Sequence, residues 1–295
     1  MWLLDIIQYK KRQIAWSFLA LLAAAAFLVL RASFESGKTG QSLEIYFFDI
    51  GQGSAIMASA PNENQILIDG GPSAAILPKV EESLPFGDKR IELLILTHPD
   101  ADHLNGLIEV LKRYEVATIL QTGIKDDSAQ YAEWARIIKE KNIPVYFARL
   151  GQNIKAADNL EIRILAPFSS LEGKEISNTN DSSIVGKIIY GESSLLFTGD
   201  ASNILESQMI LAGFDLEADI LQVGHHGSKT STSAEFLQKV SPDFSVIQVG
   251  LKNRYGHPSQ ETLDRLKNFL TLRTDLSGDI KFECDLERCR KTDEY

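Results

Sequence analysis

The five histidines of this 295-residue chain occur in three short clusters, and the first cluster also carries two carboxylates. The segment HPDADH (residues 98–103) follows an apolar run and precedes a helical pattern. Imidazole and carboxylate groups are common ligands of divalent metal ions. On an irregular turn, His98 and Asp100 can point to one side and Asp102 and His103 to the other. The segment therefore predicts half of the ligands of two adjacent ions; the alternative is a solvated turn with an aspartate as helix cap.

Three further strand-like runs end in potential metal ligands. LLFTGD ends in Asp200, ILQVGHHGS contains His225 and His226, and VIQVG leads through a loop to His257. Any one of these ends has an ordinary interpretation as a turn or a buried core histidine. Together with residues 98–103 they include every histidine of the chain, so we expect a metal centre. The candidate metal ligands are His98, Asp100, Asp102, His103, Asp200, His225, His226 and His257.

Short apolar runs alternate with helical patterns from Leu43 onward, which predicts one layered α/β domain over residues 43–275. Runs separated only by turn residues favour mixed sheets over a doubly wound parallel sheet. The predicted strands are Glu44–Phe48, Ala55–Ala58, Gln65–Ile68, Leu93–Leu96, Thr118–Leu120, Val145–Phe147, Leu160–Leu165, Ile184–Tyr190, Ser194–Thr198, Ile220–Val223 and Phe244–Val249. The predicted helices are Leu104–Leu111, Ala129–Lys141, Asn203–Leu211, Thr232–Val240 and Gln260–Leu270. Residues 276–295 are expected to form a loose charged tail, in which Cys284 and Cys289 either form a local disulfide or remain thiols.

The N-terminal residues differ in composition from the rest of the chain. Residues 14–30 carry no charge, are long enough for a short transmembrane span, and follow a basic cluster. We expect residues 1–13 in the cytoplasm, an uncleaved single-pass transmembrane helix at 14–30, a linker at 31–42, and the remaining domain on the extracytoplasmic side of the cell membrane. A cleaved signal peptide and a buried core helix are the alternatives.

The net charge of −10 argues against a globally basic nucleic-acid-binding surface. Residues 40–295 alone carry 25 basic and 38 acidic side chains, a net charge of −13, and would repel phosphates. Two divalent cations would make the predicted site locally attractive to a phosphodiester. Lys229, Lys252 and Arg254 lie beside the metal-bearing segments and would extend this patch, unless they are ordinary solvated residues.

The ordered motifs resemble the metallo-β-lactamase fold and, more narrowly, the extracytoplasmic hydrolase domain of the ComEC competence proteins. The resemblance rests on HPDADH, FTGD, VGHHGS, YGHPS, FDIGQG, IDGG and NDSSIV, and it covers residues 43–270. It implies a four-layer αββα sandwich and a dinuclear metallohydrolase. Asp100 stands where the wider superfamily has a second histidine, and no histidine lies between His103 and Asp200. The additional oxygen ligand makes Mn²⁺ a rival to Zn²⁺ as the bound ion.

With this resemblance, the candidate ligands divide into two sets around a bridging carboxylate, Asp200. The two sets are His98 with Asp100, and Asp102 with His103 and His257. His225 and His226 supply the last ligand and a hydrogen-bond donor to the anionic transition state, in an order that the sequence leaves open. Asp102 also orients the attacking hydroxide, so Asp102 and His226 are the candidate catalytic residues. Asp49 and Asp69 are expected to organise the supporting loops.

Three further polar residues are candidates for contact with the substrate. Asn180, Ser183 and Ser228 could contact a phosphate or simply form hydrogen bonds within turns. The motifs favour a membrane-anchored phosphodiesterase or nuclease that acts on DNA outside the cytoplasmic membrane. The alternatives are a hydrolase of an ester, lactone or lactam, and a non-enzymatic, metal-stabilised binding module of the envelope. No nucleotide cofactor is expected, and no protein partner is identified.

Overall fold

The computed structural model describes residues 42–292, which form two large mixed β-sheets and seven α-helices. The strands are β1 (Leu43–Phe47), β2 (Ile56–Ser59), β3 (Gln65–Ile68), β4 (Arg90–Ile91), β5 (Leu93–Leu96), β6 (Glu115–Val116), β7 (Ile119–Gln121), β8 (Val145–Phe147), β9 (Asn153–Ala157), β10 (Leu160–Ala166), β11 (Val185–Tyr190), β12 (Ser193–Phe197), β13 (Ile220–Gln222), β14 (Phe244–Ile247), β15 (Leu270–Arg273), β16 (Ile280–Cys284) and β17 (Cys289–Thr292). The helices are α1 (Ile76–Ser83), α2 (Ala101–Arg113), α3 (Ala129–Lys141), α4 (Asn203–Leu211), α5 (Ala234–Val240), α6 (Gln260–Leu266) and α7 (Thr274–Ser277).

Each large sheet combines antiparallel and parallel strands. The first sheet has the strand order β17-β16-β1-β2-β3-β5-β7-β8, and its strands β3, β5, β7 and β8 are parallel. The second sheet has the order β15-β14-β13-β12-β11-β10-β9, and its strands β12 to β15 are parallel. Strands β4 and β6 form a separate short parallel pair. The expectation of mixed sheets is confirmed.

Three apolar cores hold these elements in four layers. Between the sheets, Phe282 packs edge-to-face against Phe47 at 5.9 Å and against Phe244 at 5.1 Å. On the outer face of the first sheet, a second core contains side chains of α1, α2 and α3, and on the outer face of the second sheet a third core contains side chains of α4, α5 and α6. Each sheet therefore buries both faces, as expected of an α/β sandwich.

Helix α2 lies against the turn that follows β3 because two glycines allow it. A Cβ on Gly106 would lie 1.8 Å from the carbonyl oxygen of Gly70, and a Cβ on Gly70 would lie 2.5 Å from the backbone nitrogen of Leu107. The N–H of Gly106 donates to the carbonyl of Gly71 at 2.9 Å. This close approach fixes the first turn of α2 beside the end of β3.

Several elements differ from the expectation. The predicted helix Gln260–Leu270 ends at Leu266, and the next residues turn to form edge strand β15. The expected loose tail at 276–295 is ordered over its described residues, 276–292, because β16 pairs along its length with β1, and β17 pairs with β16. The disulfide between Cys284 and Cys289 joins β16 to β17 at directly opposite positions. Helices α1 and α7 and the strands β4, β6 and β9 are also absent from the predicted elements.

The predicted membrane anchor, its cytoplasmic flank and the linker up to residue 41 lie outside the described residues. Within residues 42–292, no helix combines the length and apolar character needed to cross a membrane.

We expect Phe282→Ala to lower the free energy of unfolding by about 3–5 kcal/mol, because it leaves a cavity between the two sheets. Glu283→Ala on the same strand is the matched control, since Glu283 is exposed. Urea denaturation of the two variants measures the difference. Equal stability of the two variants would mean that β16 does not complete the central core.

Candidate metal centre

The candidate metal centre lies where the carboxyl ends of parallel strands from both sheets meet. Asp69 follows β3 and His98 follows β5, while Asp200 follows β12 in the second sheet. His225 and His226 follow β13 in a short 3-10 turn. Parallel strands present their carboxyl ends at one edge of a sheet, so the packing of the two sheets brings all of these side chains together.

Asp200 is the centre of the cluster and is almost completely buried. Its Oδ1 atom lies 3.3 Å from Nε2 of His103. Its Oδ2 atom lies 3.6 Å from Nε2 of His225, 3.8 Å from Nε2 of His226 and 3.9 Å from Nε2 of His98. One carboxylate therefore faces four imidazoles that come from two separate segments of the chain.

The other two aspartates of HPDADH contact different histidines. Oδ2 of Asp102 lies 3.2 Å from Nε2 of His226, and Oδ2 of Asp100 lies 3.8 Å from Nε2 of His98. His257 is more peripheral, with its ring 5.5 Å from that of His225. The sequence assignment grouped Asp102 with His257; the structure instead places His226 beside Asp102.

Asp69 fixes the orientation of two of the histidines through their Nδ1 atoms. Its Oδ2 accepts hydrogen bonds from Nδ1 of His103 and from the hydroxyl of Thr97, both at 2.7 Å, and its Oδ1 accepts from the N–H of Thr97 at 2.8 Å. Because the Thr97 hydroxyl donates to Asp69, its oxygen accepts from Nδ1 of His98 at 3.0 Å. Both rings therefore carry their proton on Nδ1 and turn Nε2 toward the cluster.

Gln248 gives His226 the same orientation. Nδ1 of His226 donates to the backbone carbonyl of Gln248 at 2.9 Å. The Gln248 side chain in turn donates to the carbonyl of Ala55 at 2.7 Å and so attaches the end of β14 to the first sheet. Thr97 and Gln248 were not among the predicted site residues, since a hydroxyl and a backbone carbonyl leave no signature in a search for metal ligands.

The turn after β13 adopts an uncommon backbone conformation. His225 and His226 have φ angles of 51° and 55°, in the left-handed region that is unfavourable for residues with a Cβ. The N–H of His225 donates to the carbonyl of Gly199 at 3.2 Å, which holds this turn beside Asp200. Such conformations cost about 1–3 kcal/mol each and persist only where surrounding contacts impose them.

The three candidate substrate-contact residues, Asn180, Ser183 and Ser228, differ in their exposure and hydrogen bonds. The hydroxyl of Ser183 is buried and accepts a hydrogen bond from the N–H of Asp200 at 3.1 Å. Ser228 is also buried, and its hydroxyl bonds to that of Thr230 at 2.9 Å. Both serines therefore form hydrogen bonds within the loops of the site. The amide of Asn180 is partly exposed and lies 3.3 Å from Nδ1 of His225.

Asp49 belongs to a hydrogen-bonded loop network that includes Asp279. Its N–H donates to Oδ1 of Asp279 at 2.7 Å, and its own carboxylate accepts from the N–H of Gly51 at 3.2 Å. Lys79 pairs with the second oxygen of Asp279 at 2.7 Å. These contacts give Asp49 a role in the structure of the loop.

The charges of the centre stabilise one another. Burial disfavours the carboxylate of Asp200, but the imidazoles of His103 and His226 outweigh burial and lower the pKa of Asp200 well below its ordinary value. Burial likewise opposes a positive charge on His103, whereas Asp200 and Asp69 raise the pKa of His103 well above its ordinary value, so a cation bound at Nε2 would replace a proton there. For His98, burial and the nearby His103 lower the pKa. Asp200 is thus ionised at neutral pH, as a carboxylate ligand of a cation must be.

The buried polar atoms of the cluster fit divalent cations. Nε2 of His98, His103 and His226 and Oδ1 of Asp200 are buried and have no hydrogen-bond partner. Leaving such an atom unpaired costs about 1–3 kcal/mol, so four that face one another call for a shared ligand. Two triads of residues each bring their ligand atoms within 4.8 Å of one another. One triad is His98, His103 and Asp200, and the other is Asp102, His103 and His226. Imidazole nitrogen and carboxylate oxygen suit Zn²⁺ and Mn²⁺.

Comparison with known proteins agrees with this site. The metallo-beta-lactamase superfamily model matches residues 49–250. ComE operon protein 3 of Bacillus subtilis is 31% identical over 263 residues, which cover 81% of this chain and 33% of that protein. Competence protein ComA of Neisseria gonorrhoeae is 32% identical over 239 residues, which cover 80% of this chain and 31% of that protein. The chain thus spans about a third of the length of these curated relatives.

Solved structures share the fold at low sequence identity. The metallo-beta-lactamase fold protein YhfI from Bacillus subtilis superposes with a TM-score of 0.56 at 13% identity, covering 83% of this chain and 100% of YhfI. Igni18, a metallo hydrolase from Ignicoccus hospitalis, gives a TM-score of 0.54 at 16% identity, covering 83% of this chain and 100% of Igni18. The family match spans most of the described residues and contains all of the clustered ligands except His257. The chain therefore belongs to the metallo-beta-lactamase superfamily.

Proposed function

We propose that this protein is a dinuclear metal-dependent phosphodiesterase that cleaves DNA. The observation that carries the proposal is the set of three buried Nε2 atoms that lack hydrogen-bond partners around Asp200. A purely structural metal site is closed by its protein ligands, whereas a catalytic site keeps a position open to solvent. Asp100 and Asp102 have side chains that are 38% and 29% exposed, so the cluster opens to solvent on their side.

The distances support a division of the ligands that differs from the sequence assignment. Asp102, His103 and His226 would hold one ion, and His98 and Asp100 would hold the other. Asp200 would bridge the two, since its oxygens face histidines of both sets. The second set has fewer protein ligands and is therefore the one with room for water or substrate.

The residues around the centre have distinct tasks in this reaction. Two divalent cations, when bound, supply Lewis-acid activation of a water and of a phosphoryl oxygen. The partly exposed carboxylate of Asp102 is placed to orient the attacking water. His225 is the more exposed histidine of its pair and contacts Asn180, so these two are placed to donate hydrogen bonds to the phosphoryl group. His226, with its proton held on Nδ1 by Gln248, acts as a ligand.

DNA is the proposed substrate because of the relatives. One is named Competence protein ComA, one is named ComE operon protein 3, and a third, from Haemophilus influenzae, is named Recombination protein 2 and is 31% identical over 239 residues. An uncleaved anchor at residues 14–30 would place the domain outside the cytoplasmic membrane, where incoming DNA is accessible. The anchor and this location are part of the proposal.

The full-length protein with Mn²⁺ or Zn²⁺ should cleave a labelled single-stranded oligonucleotide and a chromogenic phosphodiester. His103→Ala should reduce turnover by about 100-fold or more, since even residues that only support a metal ligand contribute 10- to 100-fold. Gel and absorbance assays measure both substrates. Turnover of neither substrate by protein that demonstrably contains metal would contradict the proposal and direct the search to esters, lactones and lactams.

The purified protein should contain about two divalent ions per chain, and Asp200→Asn should contain fewer than one, because the amide loses the bridging charge. Elemental analysis by mass spectrometry measures the ratio of metal to protein. Asp158→Asn is a matched control, since the Asp158 side chain is 98% exposed and distant in sequence from every ligand. A metal content in Asp200→Asn equal to that of the control would remove Asp200 from the centre.

Asp69→Asn should weaken metal binding by about 10- to 100-fold without unfolding the protein. An asparagine offers one acceptor oxygen where Asp69 uses two, and its NH₂ group would face the N–H of His103 or the donors of Thr97. Competition with a chromophoric chelator gives the affinity, and Asp49→Asn is the control, since the Asp49 carboxylate accepts a hydrogen bond from the N–H of Gly51 rather than from a histidine. An unchanged affinity in Asp69→Asn would show that the orientation of His98 and His103 does not depend on Asp69.

A further inference from the structure

The loop between β14 and α6 carries an exposed aromatic and basic surface beside the metal centre. We call residues 251–257 the rim loop. Asn253 holds its shape, because its amide donates to the carbonyls of Gly250 at 2.9 Å and His257 at 2.6 Å, and its side-chain oxygen accepts from the N–H groups of Tyr255 and His257. The side chains on the rim loop are therefore presented from a defined backbone.

Planar groups lead from the metal centre outward along the rim loop. The ring of His257 lies 5.5 Å from that of His225, and the ring of Tyr255 stacks on His257 at 6.0 Å with an interplanar angle of 17°. The guanidinium carbon of Arg254 lies 5.1 Å from the centroid of the Tyr255 ring, and its Nη2 donates to the Tyr255 hydroxyl at 3.1 Å. These contacts orient the tyrosine ring, which is nevertheless 55% exposed.

The cations near this ring have no acidic partner. Among residues 42–292, neither Lys252 nor Arg254 forms an ion pair, and Lys229 on the neighbouring loop after His226 is also exposed without one. The rest of the domain is strongly acidic, since residues 40–295 have 25 basic and 38 acidic side chains. Unpaired cations next to the metal centre thus mark an approach at which a polyanion meets favourable charge on both the rim loop and the centre.

We propose that Tyr255 is a specificity-determining residue that stacks an unpaired nucleobase next to the scissile phosphodiester, while Lys252 and Arg254 contact the flanking phosphates. This inference rests on the proposed function. Aromatic rings that stack bases beside cations are the usual device for binding single strands, and stacking is tolerant of sequence because every base has a flat face. A base within a duplex is already stacked on its neighbours, so the rim loop would select single strands and frayed ends.

The test compares the full-length metal-loaded protein on a single-stranded oligonucleotide and on an abasic oligonucleotide of the same length. The ratio of kcat/KM for the two substrates reports the contribution of the bases alone. Tyr255→Leu should reduce this ratio by about tenfold, within the range measured for base stacking, whereas Tyr255→Phe should retain it. Tyr146→Leu is the matched control, because Tyr146 is a similarly exposed tyrosine (59%) on edge strand β8. An unchanged ratio in Tyr255→Leu overturns the inference.

Binding separates failure of this inference from failure of the proposed function. Fluorescence anisotropy of the two labelled oligonucleotides gives their affinities whether or not they are cleaved. Base-dependent affinity that is lost in Tyr255→Leu, without turnover by the wild type, would support the inference and contradict the proposed nuclease activity. Equal affinity of the wild type for both oligonucleotides, together with equal turnover of both, would support phosphodiester cleavage and overturn the role of Tyr255. Arg254→Gln should weaken binding of both oligonucleotides and reduce its dependence on salt.

Discussion

A buried imidazole can offer an unprotonated Nε2 to a cation only if another group keeps the ring proton on Nδ1. In this protein that condition is met for three rings that surround Asp200. Asp69 meets it directly for His103 and through the Thr97 hydroxyl for His98. A backbone carbonyl, that of Gln248, meets it for His226. The geometry of the centre therefore depends on groups that do not face it, and Asp69 supports two of the three rings at once.

Several backbone conformations that are unfavourable in free energy help to meet this condition. Asp69 has a φ of 58°, and it is followed by Gly70, whose contact with Gly106 brings the first turn of α2 and hence His103 within reach of Asp69. On the second sheet, the left-handed conformations of His225 and His226 turn two consecutive side chains toward the same carboxylate. The free energy that offsets this strain comes from the apolar cores on both faces of each sheet, which hold the strand ends in place. The packing of the sandwich therefore also positions the side chains of the site.

The sequence predicts the elements whose signals are local and misses the contacts between them. Helix Ala129–Lys141 has the predicted ends because Ser128 caps its first turn and Asn142 ends it in a left-handed conformation. Strand β16 alternates buried and less buried residues, but the charged residues around it make this pattern hard to detect in the sequence. Its partner β1 lies more than two hundred residues earlier in the chain. The site itself is indicated by a local signal, because imidazoles and carboxylates directly follow apolar strand-like runs. Which histidine meets Asp102 depends on the backbone conformation of the turn after β13, which has no signature in the residue types.

The acidity of the domain bears on how a polyanionic substrate would approach. Outside the metal centre, many of the basic side chains are already paired with carboxylates, as in the contacts of Lys79 with Asp279 and of Lys281 with Glu44. A paired cation contributes little field at a distance because its partner cancels the charge, and salt screens what remains beyond about 10 Å. A phosphodiester backbone would therefore be repelled by most of this surface and attracted only where cations are unpaired or metal ions add positive charge. On these grounds the unpaired cations of the rim loop and the metal centre would attract the proposed substrate together, and Tyr255 lies on that loop beside His257.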